Sequence, residues 1–510
     1  MRHNRQDMKY VDLFAGCGGL SLGIEKAGGE LVAAVEKSDM AARTFYHNAV
    51  GDMSDLREWQ AYVRRPLIGQ LSRKVMVSEL SNVLTNEAVM SSLSGVGLDL
   101  VVGGPPCQGF SLAGRRNHDD VRNRLAWEYL DFVALTRPKA VVIENVVGMS
   151  QKFESQTESS FSQLRRALAL TGPGYIVQAV LVNAMHYGAP QHRPRLMLIA
   201  LRQDVANFLE VRVTGGIWKS TFADSVVDRP MLAPAPIISE NEVFSVGDAI
   251  ADLCSETDIP ASRNGLYRER LLRDVSRTPY PLMDASRPKN HTFRAHSSRV
   301  ISRFSLYRKL ADTGADMQLL NRLGGLDQET ATAVVKTQLS ERLKLPMTLQ
   351  VGPYPDDLRT FTRISEITEF AVALATKKHS QKVLRWNQPA RTVVTLPDDY
   401  VHPISSRIFT VRELARFQGF PDSFEFLGKE TTGSARRKFE VPQYTQVGNA
   451  VSPWQSLAVG RVLEPLIDAY NRRATSTGLE SGHPPVPVIA GSLRERVASV
   501  SRSFVSTPAQ

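Results

Sequence analysis

Gly103-Gly104-Pro105-Pro106-Cys107-Gln108 follows the apolar run Leu98-Asp99-Leu100-Val101-Val102. A short apolar run bounded by turn residues reads as a buried strand. The cysteine therefore sits on a loop stiffened by glycine and proline, at the carboxyl end of a strand. That is the edge where open α/β sheets bind ligands. Working outward, Ala140-Val141-Val142-Ile143 is a second buried strand, ending in Glu144-Asn145-Val146. An acid thus reaches the same sheet edge as the thiol. A nucleophile and an acid beside a glycine-rich loop point to covalent catalysis on an electron-poor ring.

From Lys9 to about Leu201, short apolar strands alternate with amphipathic helical stretches, the pattern of a doubly wound, Rossmann-like α/β domain. The expected strands are Tyr10–Phe14, Leu31–Glu36, Leu98–Gly103, Ala140–Asn145, Tyr175–Leu181 and Leu196–Leu201. The long segment from Arg57 to Gly97 is expected to carry an extra helix. From Arg202 to about Ser380 the alternation fades, as in a second, smaller domain. Order returns at Val383–Leu396, with helices expected at Thr410–Gln418 and near Trp454–Tyr470, the latter packing back on the first domain. Tyr444–Pro453 reads as a polar turn. Beyond Arg472, Ser, Pro, Gly and Val without period predict a mobile tail.

The 510 residues suffice for two domains, and 42% hydrophobic with 22% charged residues fits a soluble globular protein. No apolar run is long enough to span a bilayer, and Met1–Tyr10 holds no signal-peptide pattern, so a cytoplasmic location is the expectation. The three cysteines, Cys17, Cys107 and Cys254, form no CxxC pair, which supports neither a disulfide framework nor a structural metal site. Cys17 reads as packing and Cys254 as incidental. A net charge of +10 and pI near 9.5 favour a polyanionic partner.

Asp12-Leu13-Phe14-Ala15-Gly16-Cys17-Gly18-Gly19-Leu20 follows the first strand and opens a helix. Glycines there let a ligand approach the backbone, and the helix start offers free N–H groups to an anion. Glu36 ends the second strand, where an acid can accept hydrogen bonds from ribose hydroxyls. Phe14 stands where a dinucleotide fingerprint has its first glycine. That speaks against a nicotinamide oxidoreductase and leaves an aromatic wall for an adenine.

Taken together, these motifs resemble the DNA cytosine-5 methyltransferase family, over Lys9–Leu201 and Val383–Tyr470. The resemblance implies an S-adenosylmethionine loop at Phe14, Ala15, Gly16, Gly18, Gly19 and Leu20, with Glu36 as ribose acid. It implies further cofactor contacts from Pro105 and, in Gln446-Val447-Gly448-Asn449-Ala450-Val451, from Asn449 and Val451. Pro105-Pro106-Cys107-Gln108 is similar to the nucleophile motif and Glu144-Asn145-Val146 to the base-protonating motif. Gln191-His192-Arg193-Pro194-Arg195 is similar to the glutamine-arginine-arginine motif, making Gln191, Arg193 and Arg195 catalytic candidates. The fold implied is a methyltransferase sheet over 1–201, a target-recognition domain and return segment over 202–435, a closing segment over 436–472, and the tail 473–510.

The chemistry explains the residue types. Carbon 5 of cytosine is a weak nucleophile until a thiolate adds at carbon 6. Cys107 must therefore lose its proton, and Glu144 must carry or share one to donate to ring N3. Arg195 is expected to orient the base carbonyl and Arg193 to hold Glu144. The base must leave the duplex stack to reach these groups. Ser111, Arg115 and Arg116, just after the nucleophile, suit a loop closing over flipped DNA.

The acid for the adenine amine stays open between Asp52 and Glu79. Pro389-Ala390-Arg391-Thr392 fits the Pro-x-x-Thr element that usually precedes the closing motif. Sequence choice is expected within about Gln203–Lys382, with Asn290–His296 and the basic run through Arg308 as candidate DNA contacts, or Ser298–Lys309 as a merely solvated charged helix. The implied activity is methylation of cytosine in a specific duplex sequence, in bacterial self-marking beside a cognate restriction or defence nuclease. The implied location is the cytoplasm, at the nucleoid through DNA. The rivals are an RNA cytosine-5 methyltransferase, although its Cys-Phe-Thr element is absent here, and a binding module without turnover.

Overall fold

The computed structural model describes residues 7–105, 124–146, 159–222, 229–277, 288–313, 319–323, 325–339, 344–378, 380–433, 436 and 439–476. The main strands are β1 (Met8–Leu13), β2 (Gly29–Glu36), β3 (Val75–Val77), β4 (Leu100–Gly103), β5 (Ala140–Asn145), β6 (Tyr175–Asn183), β7 (Pro194–Arg202) and β8 (Ile217–Lys219). They form one sheet in the order β3-β2-β1-β4-β5-β7-β6-β8. Strands β3, β2, β1, β4 and β5 run parallel, and β7 runs antiparallel to both β5 and β6. The ends of β4 and β5 and the start of β7 therefore share one edge.

The strands are covered on both faces, which is why they read as continuous apolar runs. Side chains alternate between two cores: Val102, Val142 and Met197 point into one, and Val101, Val141, Ile143 and Leu198 into the other. All six expected strands form, β5 with the expected bounds. The segment after Arg57 holds more than an extra helix. It carries helices Leu56–Val63, Leu67–Leu71, Leu80–Leu84 and Glu87–Gly95, together with β3. Three residues are too few to show a period, but Val75 and Met76 are buried and extend the sheet past β2.

Helix α1 (Gly19–Lys26) lies against the helix Pro453–Ser476. The backbones approach so closely that a Cβ on Gly23 would collide with Ser456 Oγ, Pro453 O and Leu457 N. Only glycine fits there. The expected polar turn before this helix is itself a helix over Gln443–Asn449. The expected tail from Arg472 begins as helix as far as Ser476, and 477–510 lies outside the described residues.

Residues of the middle segment divide between cores. Phe244, Val246, Ile250, Tyr267 and Leu271 pack with the sheet. A third cluster gathers Phe304, Leu306, Tyr307, Leu310, Leu349, Phe361 and Ile367 with Val401 and Ile408. The solvated-helix reading of Ser298–Lys309 fails here. The helix Ser298–Asp312 buries Phe304, Leu306, Tyr307 and Leu310 in that cluster. Two of its arginines are spent internally as well: Arg303 donates to Leu374 O and Arg308 to Pro403 O. Among the described residues no helix is long and apolar enough to cross a membrane.

Candidate active site

Strand β4 delivers Gly103, Gly104 and Pro105 to the shared edge. Cys107, Gln108, Ser111, Arg115 and Arg116, the expected nucleophile and closing loop, lie outside the described residues. Asn145 Nδ2 donates to Pro105 O at 3.3 Å and ties the ends of β4 and β5 together.

Glu144 sits at that junction and pairs with Arg195: Arg195 Nε lies 2.8 Å from Glu144 Oε1. Register explains the choice. Glu144 stands opposite Met197, so Arg195 is its diagonal neighbour two residues along an antiparallel strand, within reach of a long side chain. The other carboxylate oxygen faces the nucleophile's strand end. A Cβ built on Gly104 would lie 3.0 Å from Glu144 Oε2. Burial pushes the Arg195 guanidinium down, while the Glu144 carboxylate opposes that shift.

The expectation that Arg193 holds Glu144 is corrected by this geometry. Arg193 is 1% exposed and donates to the carbonyls of Val393, Gly448 and Ala450. Burial, and then the charge of Arg195, push it well below its ordinary range. It lies beyond β7 and binds the closing segment to the site rather than the acid. Gln191 acts likewise: its amide donates to Phe417 O and Gln418 Oε1 and accepts from Val393 N.

The glycine-rich loop leaves β1 through two left-handed residues, Phe14 at φ 58° and Gly16 at φ 56°. Phe14 takes a conformation rare for a side-chain-bearing residue. A Cβ on Gly16 would meet nothing within 4 Å, so the loop opens to a ligand there. Glu36 closes the opposite wall, accepting from Gly16 N at 2.9 Å and Ser38 N at 2.6 Å. Burial raises its carboxyl pKa, and these two N–H donors hold it back. A carboxylate has about four acceptor sites, so Glu36 keeps acceptor capacity for a hydroxyl beside these donors and Lys37 N. Gly19 abuts Val451 O, which brings the closing segment over the loop; Val451 is buried and Asn449 exposed. Leu20 is buried, as is Cys17, whose thiol burial pushes up to about 12. An open glycine, a ribose-competent acid and a helix start are the right donor set for a nucleoside-bearing cofactor.

Glu79 and Asp52 are separated by topology. Glu79 follows β3, and Lys37, the residue after Glu36, reaches it with Nζ 2.5 Å from Glu79 Oε1. Asp52 lies past the far end of the helix α2 (Asp39–Ala49) and pairs with His47.

A profile of the C-5 cytosine-specific DNA methylases matches residues 8–68 and 82–463. The chain belongs to that family. This methylase is thus a DNA cytosine-5-methyltransferase, and membership implies a DNA substrate and a methyl donor of the S-adenosylmethionine type. It is 27% identical over 456 residues to the type II methyltransferase M.DdeI of Desulfomicrobium norvegicum, covering 88% of this chain and 86% of that one. It is 28% identical over 488 residues to the type II methyltransferase M.AgeI of Thalassovita gelatinovora, covering 90% and 100%. A solved mutant of DNMT2 from Spodoptera frugiperda aligns with TM-score 0.46 at 13% identity, over 90% of this chain and 99% of that one.

The helix expected at Thr410–Gln418 forms as Val411–Gln418, but sequence reasoning missed its part as the methylase's most heavily built support. All eight of its residues are buried, four of them polar or charged. Thr410 and Glu413 form a capping box, and Gly419 at φ 92° ends the helix. Arg407 pairs with Glu413 at 2.7 Å, and Arg416 with Asp422 at 2.7 Å and with Asp252. Gln418 passes the Gln191 contact on to Val447 O at 2.7 Å. The run Thr410–Asp422 carries a readable signal, since a capping box, paired acids and arginines and a Gly-x-Pro stop lie in one short segment.

The same network absorbs three of the seven candidate DNA contacts at Asn290–His296. Asn290 donates to Phe426 O, His291 bonds Thr410 Oγ1 and Leu253 O, and His296 accepts from Ile408 N. Thr292, Phe293 and Arg294 stay exposed.

Proposed function

We propose that the chain transfers a methyl group from S-adenosylmethionine to carbon 5 of cytosine in a specific duplex DNA sequence, through base flipping and a covalent Cys107 adduct. The observation that carries this reading is the Glu144–Arg195 pair, 2.8 Å apart at the strand end next to the one leading into Cys107. When bound, the cofactor supplies an electrophilic methyl group. Phe14, Ala15, Gly16, Gly18, Gly19, Leu20, Glu36, Pro105, Asn449 and Val451 are the residues to hold it, with Glu79 rather than Asp52 toward the adenine amine.

The Cys107 thiolate adds to carbon 6 of the flipped ring. Glu144 donates to N3 through Oε2, the oxygen that Arg195 Nε does not hold, and so stabilises the charge of the adduct. Arg195 fixes the carboxylate and is close enough to the base to meet its carbonyl. Arg193 and Gln191 act as positioning residues, keeping the closing segment on the site. Loss of the carbon 5 proton then lets Cys107 depart. Ser111, Arg115 and Arg116 close over the flipped nucleotide. We place target recognition on the third buried cluster, a narrower unit than 202–435. The type II relatives favour a restriction-modification role, with a cognate nuclease as partner and the cytoplasm, at the nucleoid, as location.

The test is covalent trapping on mixed-sequence duplex carrying 5-fluorocytosine, with S-adenosylmethionine present. Fluorine cannot leave as a proton does, so a denaturant-stable adduct is expected, and Cys107→Ser should abolish it. Sequencing the trapped DNA gives the target. An adduct on fluorinated RNA alone would transfer the chain to RNA, and none on either would reject covalent catalysis.

A further inference from the structure

The motif Gln191–Arg195 and the Pro389–Thr392 element, about 200 residues apart in sequence, are joined side by side. Gln191 and Ala390 form a parallel bridge, His192 N donates to Ala390 O at 2.8 Å, and Ala390 N donates to Pro190 O at 2.8 Å. Thr392 Oγ1 continues the pairing to His192 O, and Tyr400 OH pins Thr392 O, both at 2.8 Å.

Alternate residues of such a pair face opposite ways. The inward members are spent: Gln191 and Ala390 are fully buried, and Arg193 is committed to backbone carbonyls. The outward members are His192 and Arg391, and both are exposed. Two cationic or donor side chains therefore stand together on a strapped, rigid ledge. Nothing in the proposed chemistry uses them.

Their position is informative. His192 is three residues from Arg195, about 10 Å along an extended chain. A base held by Glu144 and Arg195 leaves its own phosphodiester at roughly that distance. The ledge is also backed by the buried guanidinium groups of Arg193 and Arg195, with Glu144 the acid paired among them. Of the acids in the neighbouring loop, Asp398 is neutralised by Lys378 at 2.7 Å, while Asp399 accepts from the neutral Ser380 hydroxyl at 2.5 Å and keeps its charge. The three guanidinium groups of Arg391, Arg193 and Arg195 outnumber the two acids Glu144 and Asp399, a balance that suits a polyanion.

We infer that His192 and Arg391 form a phosphate-binding ledge that grips the target strand's backbone beside the flipped nucleotide. The inference rests on the DNA-methylating reading of the Glu144–Arg195 site. Arg391 supplies a permanent charge and a forked donor, and the His192 imidazole supplies an N–H in either protonation state. Such contacts fix register and carry no base code.

The experiment measures binding of the full chain to a fluorescein-labelled mixed-sequence duplex as salt is varied. Arg391→Ala should lower the slope of log K against log salt by about 0.9, the loss expected for one phosphate contact. Arg391→Lys should restore that slope. His192→Ala should weaken binding further in the double variant. A slope that Arg391→Ala leaves unchanged, or that Arg391→Lys fails to restore, overturns the assignment. The wild-type trapping assay separates the two readings: a protein that binds duplex with the Arg391-dependent slope yet never forms an adduct keeps the ledge and loses the catalytic mechanism.

Discussion

The two oxygens of Glu144 have different neighbours, and that difference predicts how single residues behave. Oε1 is fixed by Arg195, while Oε2 faces Gly104 with room for no side chain. Gly104→Ala should displace the carboxylate and slow turnover about tenfold or more, with the pH–rate profile moving as well. Glu144→Gln, which keeps shape but loses the titrating proton, should cut kcat by about 10²–10⁴-fold. Steady-state methylation of a trapped-and-sequenced target checks both, and an unaltered kcat in either variant rejects the proton-donor role. At this scale much was legible. The shared edge and Glu144 were readable because β4 and β5 are apolar runs whose ends must lie at the ligand-binding edge, whereas Cys107 itself lies outside the described residues. The division of labour between Arg193 and Arg195 was not. It depends on the register of β7 on β5, which places Arg195 diagonal to Glu144.

Single elements show where pattern reading works and where it stops. Strands β4 and β5 were visible because both faces are buried, whereas β3 has three residues and no period. The helix Ser298–Asp312 looked solvated because its arginines look solvated in sequence, yet Arg303 and Arg308 find carbonyls inside the fold. The helix Val411–Gln418 is an extreme case, since its charges are tolerated only because each has a partner. Arg416→Ala would take the paired guanidinium from Asp422 and leave Asp252 to Arg268 at 3.4 Å, and should cost about 3–5 kcal/mol in urea unfolding. Gly23→Ala, at the contact of α1 with the Pro453–Ser476 helix, should cost about 1–3 kcal/mol through overpacking. A Gly23→Ala protein as stable as wild type would mean that the two helices separate easily.

Across the whole molecule, buried histidines lose stability in acid while the buried acids Asp12, which burial pushes up to about 7, and Glu36 gain it. Burial pushes His402 down from 6.5 to about 3 and His186 to about 4. Between pH 6.5 and those values the unfolded chain binds more protons at these two histidines than the native one, so their contribution to stability falls as pH falls. Glu413, carried down to about 2 by Arg407 against the effect of burial, extends the loss below pH 4.5. The share of His402 is isolated by substitution: between pH 6.5 and 4 the melting temperature of His402→Gln should fall less, or rise more, than that of the wild type. An identical pH dependence in the two proteins would contradict the buried position of His402. The contact of α1 with the helix Pro453–Ser476 carries one more consequence, for the timing of biosynthesis. The wall that Val451 supplies is translated more than 400 residues after the glycine loop it covers. A ribosome-bound chain thus exposes an unfinished half-site until that wall has emerged. Two separately made fragments split in the middle segment should regain activity only when they reassociate.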